Sequence, residues 1–427
     1  MKLLGALLLL LVSSQAQAYG YPVSNPFLAT IAGTPPGCRA ELGTAKIHEA
    51  VFGLADERNR KAPDIFWDVK TPRFKFAWQQ SKAPLMVIIA GTGGRFDTAK
   101  VEDLKKIFYQ TGFHVLQLSS PTSYDFIVSG SESHRTGLST PDSANLYKLT
   151  QQALKRVQSQ SKLEVSDYYL LGYSLGALDA AFVAKIDTDE KKVGFRRVLM
   201  INPPVYLQRA VSNLDRLLLA DVPGVDDSTS LFNHYFDRLA DYFRHHKSVD
   251  LDASMLRYVD KSVGQLSNEE LALLIGMSFR FSVAAMLFTS NAMTLNGKLL
   301  PDGKRLKLRD SKTTYLQRAM HCSFECYVES VLLPAVRQND NETTLQALYE
   351  QSSLTTLANW LKKTDHLGVM HNADDLILDQ SGLDFLYDTF GSRARIYPRG
   401  GHLGNFLYKD NVTDMLGFFK HGHFPES

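Results

Sequence analysis

The sequence predicts an α/β chain: a mostly parallel central sheet with helices on both faces, together with an α-helical insertion. Short apolar runs without polar alternation recur along it, as strands buried on both faces require. Segments of helical periodicity separate these runs, as the crossovers of a parallel sheet do. Between Pro204 and Leu367 the strand signals stop, and only helix-like patterns and turn clusters continue.

Taken in order, Lys2, the apolar run Leu3 to Val12 and the small residues Ala16-Gln17-Ala18 read as a secretory signal, too short for a membrane span. Cleavage near Ala18 would start the mature chain near Tyr19, in the periplasm or the medium. No Cys follows the small residues, so lipid attachment there is not expected. Residues 19–64 read as an irregular lead-in, with Pro, Gly, Ala and Thr concentrated early. Ile65 to Trp78 suggests a pair of opening strands around Thr71-Pro72. Leu85 to Ala90 is a strand that ends in Gly91-Thr92-Gly93-Gly94, and Asp97 to Tyr109 is a helix. His114 to Leu118 is a strand, Asp142 to Val157 an amphipathic helix, Tyr168 to Leu171 a strand and Leu175 to Ile186 a helix. Val198 to Ile201 is a further strand, stopped by Asn202-Pro203-Pro204.

Helical patterns then occur around Leu214, Leu231 to Phe243, Leu271 to Phe288, Tyr315 to Leu333 and Leu345 to Leu361. They share no fixed period, so an insertion over 205–364 is expected rather than a repeat array. Alternation resumes with strand Leu367 to His371, helix Gly382 to Thr389, strand Ala394 to Tyr397 and helix Phe406 to Phe419. The sheet-bearing core therefore comprises 65–204 and 365–427.

Composition narrows the function classes. A chain of 427 residues exceeds one ordinary domain, and 44% apolar with 22% charged residues is ordinary for a globular protein. A net charge of +2 offers no handle on nucleic acid or an anionic membrane. The most apolar stretch beyond the signal, Leu271 to Met286, is interrupted by Arg280 and is shorter than a span. No transmembrane segment is expected in the mature chain. In an oxidising compartment Cys38, Cys322 and Cys326 allow one bridge and leave one thiol. Cys322 and Cys326 lie one helical turn apart, and Cys38 could pair with either. His321 with Cys322 and Cys326 lacks the second Cys/His pair of a structural zinc site, so no metal is expected.

The chemistry centres on Gly172-Tyr173-Ser174-Leu175-Gly176. A Ser on a sharp strand-to-helix turn has a strained backbone, and glycines on either side let strand and helix pass closely. The preceding Asp167 to Leu171 and the following Ala177 to Ile186 supply that strand and helix. In this context the pentapeptide resembles the nucleophile elbow of the α/β-hydrolase superfamily, with the resemblance covering about 65–204 and 365–420. It implies Ser174 as nucleophile, followed along the chain by an acid and a histidine.

Gly400-Gly401-His402-Leu403-Gly404, after the last strand, resembles the family's histidine loop and makes His402 the general base. Val369-Met370-His371-Asn372-Ala373-Asp374-Asp375 resembles the strand end that carries the acid, with Asn372 where Gly is usual. Asp375 is the first choice for the acid and Asp374 the second. The oxyanion hole would take the backbone N–H of Leu175 and one from the loop after Leu85 to Ala90: Thr92 first, Gly93 second. Ala90 replaces the family's usual His there. The resemblance places the insertion over the nucleophile and implies no cofactor.

The function expected is cleavage of a carboxylic ester through an acyl-serine intermediate, and an apolar acyl or aryl part would fit if apolar residues of the insertion line the pocket. A peptidase or amidase on the same fold is the alternative enzyme, and a non-catalytic binding protein on this scaffold the alternative class. Gly91 to Gly94 lacks the Lys-Ser/Thr ending of a phosphate-binding loop. His134 and Tyr124, in the Ser- and Thr-rich stretch Ser119 to Thr140, are candidate pocket residues. His245-His246 and His421-Gly422-His423 read as exposed histidines.

Overall fold

A computed structural model of the chain describes residues 19–55, 62–160, 163–220 and 266–425. The expected signal segment (residues 1–18), Leu231 to Phe243 and His245-His246 lie outside the described residues. Eight strands form one sheet: β1 Glu49–Gly53, β2 Arg73–Ala77, β3 Ala83–Ile89, β4 His114–Leu118, β5 Val165–Tyr173, β6 Phe195–Ile201, β7 Leu367–Asn372 and β8 Ala394–Tyr397. Their order is β1-β2-β4-β3-β5-β6-β7-β8. β1 and β2 pair antiparallel and β2 joins β4 antiparallel, while β4-β3-β5-β6-β7-β8 run parallel.

The apolar runs have a plain cause. Along β3, Leu85, Val87 and Ile89 enter one core while Met86 and Ile88 enter the other. β6 splits the same way, Val198 and Met200 against Leu199 and Ile201. With both faces covered, neither set of alternate side chains can be polar. One face carries helices α3 Ser139–Gln160 and α4 Leu175–Glu190. The other carries α2 Ala99–Gln110 and the last helix, Lys409–His421. The parallel strands all present their carboxyl ends to one edge of the sheet, where α/β proteins place their sites.

The opening of the sheet differs from expectation. Ile65 to Trp78 supplies only β2, since Asp64–Phe66 is a 3-10 turn, and β2's partner is β1. β1 is an edge strand with alternately exposed residues, and its Phe52 stacks on Phe74 at 5.5 Å. One covered face leaves too few apolar residues for a strong strand signal. The lead-in also holds helix α1 Pro26–Ala32, capped by Asn25 and started by Pro26.

Among the described residues of 205–364 every regular element is helical. α5 Leu207–Arg216 leads in, and α6 Asn268–Thr294 is the long element, begun by a capping box between Ser267 and Glu270. α6 is long and apolar enough to cross a membrane, more than Leu271 to Met286 promised, yet it is mostly buried within the protein. Its Arg280 pairs with Asp215 of α5 at 2.6 Å and donates to the Met320 carbonyl at 3.1 Å. The pattern Tyr315 to Leu333 is broken at Ser323, whose hydroxyl caps the next short helix by accepting from Cys326 N–H. Cys322 and Cys326 form a disulfide across that break, and Cys38 keeps its thiol. Leu345 to Leu361 is likewise split, where Leu354 N–H turns to the Val205 carbonyl at 3.0 Å.

A buried acidic pair lies between α3 and α4. Asp142 accepts the Gly137 N–H at 2.6 Å, but its other oxygen and one oxygen of Asp179 are buried without a partner. Burial pushes the Asp142 carboxyl up to about 7, and burial then the charge of Asp142 raise Asp179. With its folded pKa raised, Asp142 contributes stability that is complete below its unfolded pKa near 3.8 and lost as pH rises through about 7. Thermal melts at stepped pH should show the wild-type Tm falling from pH 5 to pH 8. The fall should be shallower in Asp142→Asn, which stays neutral; equal slopes would contradict the burial account.

Candidate active site

The site grows from the end of β5. Ser174 has φ 54° and ψ −128°, a left-handed conformation costly for a residue with a side chain. Its N–H donates to the Ile201 carbonyl at 2.8 Å, and its own carbonyl accepts from Ala177 N–H at 2.9 Å, so sheet and helix each hold one side of the turn. A methyl group on Gly172 would lie 1.9 Å from the Gly176 carbonyl oxygen, and one on Gly176 would lie 2.3 Å from that of Ala90. The glycines are needed for this close passage of backbones.

His402 meets the serine. Its Nε2 lies 2.9 Å from Ser174 Oγ, and its Nδ1 lies 3.1 and 3.0 Å from the two carboxylate oxygens of Asp375. An ionised carboxylate only accepts, so Nδ1 carries the ring proton and Nε2 accepts from the serine hydroxyl. The loop bearing His402 is held from below by α1. His402 N–H donates to Thr30 Oγ1 at 2.9 Å, and a methyl on Gly401 or Gly404 would lie 2.3 Å from the Pro26 or Ala29 carbonyl oxygen respectively. These loop glycines thus admit the α1 backbone.

The neighbouring acids divide the work. Asp375 is fully buried, and it accepts from Asn202 Nδ2 at 2.6 Å and from Ile377 N–H at 3.1 Å besides His402. Burial works to raise its pKa, but the charge and hydrogen bond of His402, then His371 and Ile377 N–H, outweigh burial and hold the carboxyl below its ordinary range. His371, 3.7 Å away, accepts Asn372 N–H on Nδ1, and burial pushes its pKa down. Asp374 instead accepts the N–H groups of Gly400 and Gly401 at 3.1 and 2.8 Å. It ties down the histidine loop and does not meet the imidazole.

The two oxyanion candidates from the β3 loop also separate. Gly93 donates its N–H to Thr122 Oγ1 at 2.9 Å, and Ser120 Oγ lies 2.9 Å from that same hydroxyl. The N–H groups of Thr92 and of Leu175, at the start of α4, take no hydrogen-bond partner among the described residues. Both residues border the space next to Ser174. That space has two adjoining lobes, of about 720 and about 560 Å³ with open solvent included. Thr92, Ser174, Leu214, Phe279 and Ser282 belong to both.

Other candidates lie elsewhere. Tyr124 donates to Asp68 at 3.3 Å and borders a separate cavity against Phe288 of α6. His134 Nδ1 contacts the Ile127 carbonyl at 2.7 Å, and His134 is not among the residues lining either lobe. The Ser- and Thr-rich stretch serves through Ser120 and Thr122 as support for the β3 loop. His421 and His423 lie ring to ring at 5.8 Å, and among the described residues no group of three metal-ligating side chains occurs. Asn202 and Thr30 were missed in the sequence. The Asn before two prolines at a strand end, here at φ 49°, was the available signal for Asn202. None pointed to Thr30, whose partner lies 372 residues away.

The turn geometry makes a stability prediction. Gly176→Ala should cost about 3 kcal/mol or more, lowering the Tm by several degrees, because backbone must move. Gly37→Ala, where a methyl meets nothing within 4 Å, should leave the Tm nearly unchanged. Equal melts for the two variants would contradict the close passage at the turn.

No family model matches the sequence, and no curated protein matches it. Among solved structures, a hydrolase from Pseudomonas aeruginosa PA01 is similar at 13% identity over 81% of this chain and 94% of its own, with a TM-score of 0.38. A peroxisomal α/β-hydrolase from Saccharomyces cerevisiae is similar at 11% identity over 90% and 92%, TM-score 0.40. An esterase from Pyrococcus furiosus is similar at 9% identity over 92% and 99%, TM-score 0.40. Likeness this distant says nothing of individual residues. From its own strand order, its turn after β5 and its downstream acid and histidine, the chain has an α/β-hydrolase fold.

Proposed function

We propose that the protein is a serine hydrolase that cleaves a carboxylic ester through an acyl-Ser174 intermediate. The observation that carries this reading is the continuous relay from Ser174 Oγ to His402 Nε2 at 2.9 Å and from His402 Nδ1 to Asp375 at 3.0 Å. In the first half-reaction Ser174 Oγ attacks the carbonyl carbon while His402 Nε2 takes its proton. The carbonyl oxygen becomes an oxyanion, for which the Thr92 and Leu175 N–H groups are the available donors. As the ester C–O bond breaks, His402 returns the proton to the leaving alcohol. Water then repeats the sequence, and Ser174 regains its proton as the acid departs. Asp375 keeps the imidazole in the required tautomer and stabilises the imidazolium.

The mainly apolar lining beside Leu175 favours an ester with an apolar part over a peptide, whose amide groups would be buried there without partners. A binding role alone would leave unexplained the hydrogen-bonded order of all three groups. The leader at Lys2 to Ala18 supports a site of action outside the cytoplasm, periplasm or medium.

Hydrolysis of p-nitrophenyl butyrate tests the reading. Ser174→Ala should lower kcat by at least about 10⁴-fold. Asp375→Ala should cost about 10⁴-fold and Asp374→Ala no more than about 10²-fold, since the second shifts a loop without removing the imidazole's partner. Equal losses for the two aspartates, or a fully active Ser174→Ala, would contradict it.

A further inference from the structure

The two lobes beside Ser174 are not equivalent, and the position of His402 tells them apart. His402, Leu403 and Thr30 line the first lobe and are absent from the lining of the second. The second has Leu175, and along it two helices face each other. Leu207, Val211 and Leu214 form a stripe on α5, and Phe279, Val283 and Met286 form one on α6. Their spacing is that of one helix face.

The geometry points to the second lobe as the binding site of an apolar acyl chain, with the alcohol of the ester leaving through the first. This rests on the acyl-Ser174 reading. The leaving oxygen must come within hydrogen-bond reach of His402 Nε2 to receive its proton, and the imidazole borders only the first lobe. The water that later attacks must lose its proton to the same nitrogen, so it enters from the same side. Its oxygen bonds to the acyl carbon as the bond to Ser174 Oγ breaks. The first lobe also carries the polar side chains of Thr30, Lys100 and Ser278, which suit an alcohol and water. The acyl carbon, bonded to Ser174 Oγ, then has the α5–α6 lobe as the space for its chain. Every residue of the two stripes is apolar, so each methylene placed between them leaves water without stranding a polar group.

Steady-state kinetics on p-nitrophenyl acetate, butyrate, hexanoate and octanoate tests the assignment, with wild type, Val211→Trp and Met286→Trp. Wild-type kcat/KM should rise about fourfold per methylene over the first few methylenes. The octanoate-to-acetate ratio should fall at least tenfold in either variant; being taken within one preparation, the ratio is insensitive to loss of folded protein. Turnover with a flat chain-length profile, or ratios unchanged in both variants, would overturn the lobe assignment and leave the hydrolase reading standing. Failure to hydrolyse any of the esters would instead overturn the ester reading and the assignment with it.

Discussion

The site depends on one backbone constraint: Ser174 is held at φ 54° where strand β5 turns into helix α4. A residue with a side chain pays about 1–3 kcal/mol for such a conformation, so surrounding structure must impose it. Here the Ser174 N–H is fixed on β6, its carbonyl begins α4, and the Gly176 Cα rests against the end of β3. The same turn places Leu175, at the head of α4, on the border of the space beside the hydroxyl. The positions of the Ser174 hydroxyl and of Leu175 are therefore set by a single turn.

A second set of contacts brings the imidazole to that hydroxyl. The His402 loop has no regular structure of its own, and is fixed by Thr30 on one side and Asp374 on the other. Asp375 stays ionised in a buried position because His402, Asn202 and Ile377 N–H all donate to it. Hydrogen bonds to the charged form are what offset the desolvation. The α1 helix, remote in sequence, is thus part of the support for the Ser174–His402–Asp375 arrangement.

Much of this was legible in the sequence where the determinants are local. The elbow is five consecutive residues with its strand and helix adjoining, and the parallel strands are continuous apolar runs because both faces are covered. What was not legible depends on contacts across the chain. Asp374 and Asp375 are neighbours in sequence, and their division rests on distant partners: Asn202 donates to Asp375, while Gly400 and Gly401 N–H donate to Asp374. Thr92 and Gly93 differ because Thr122 takes the N–H of one. β1, at the sheet edge, had too little apolar pattern to stand out. The pairing of Cys322 with Cys326 follows from a helix break that periodicity alone reads as continuous helix. α1 looked irregular because its seven residues sit within a stretch rich in Pro, Gly, Ala and Thr.

The most direct measurement of the central claim is reaction of the folded protein with a fluorophosphonate, followed by intact mass and peptide mapping. The account predicts one adduct per chain, located on Ser174, and its absence in Ser174→Ala. A folded wild-type protein that takes no adduct, or takes it at another residue, would contradict the account.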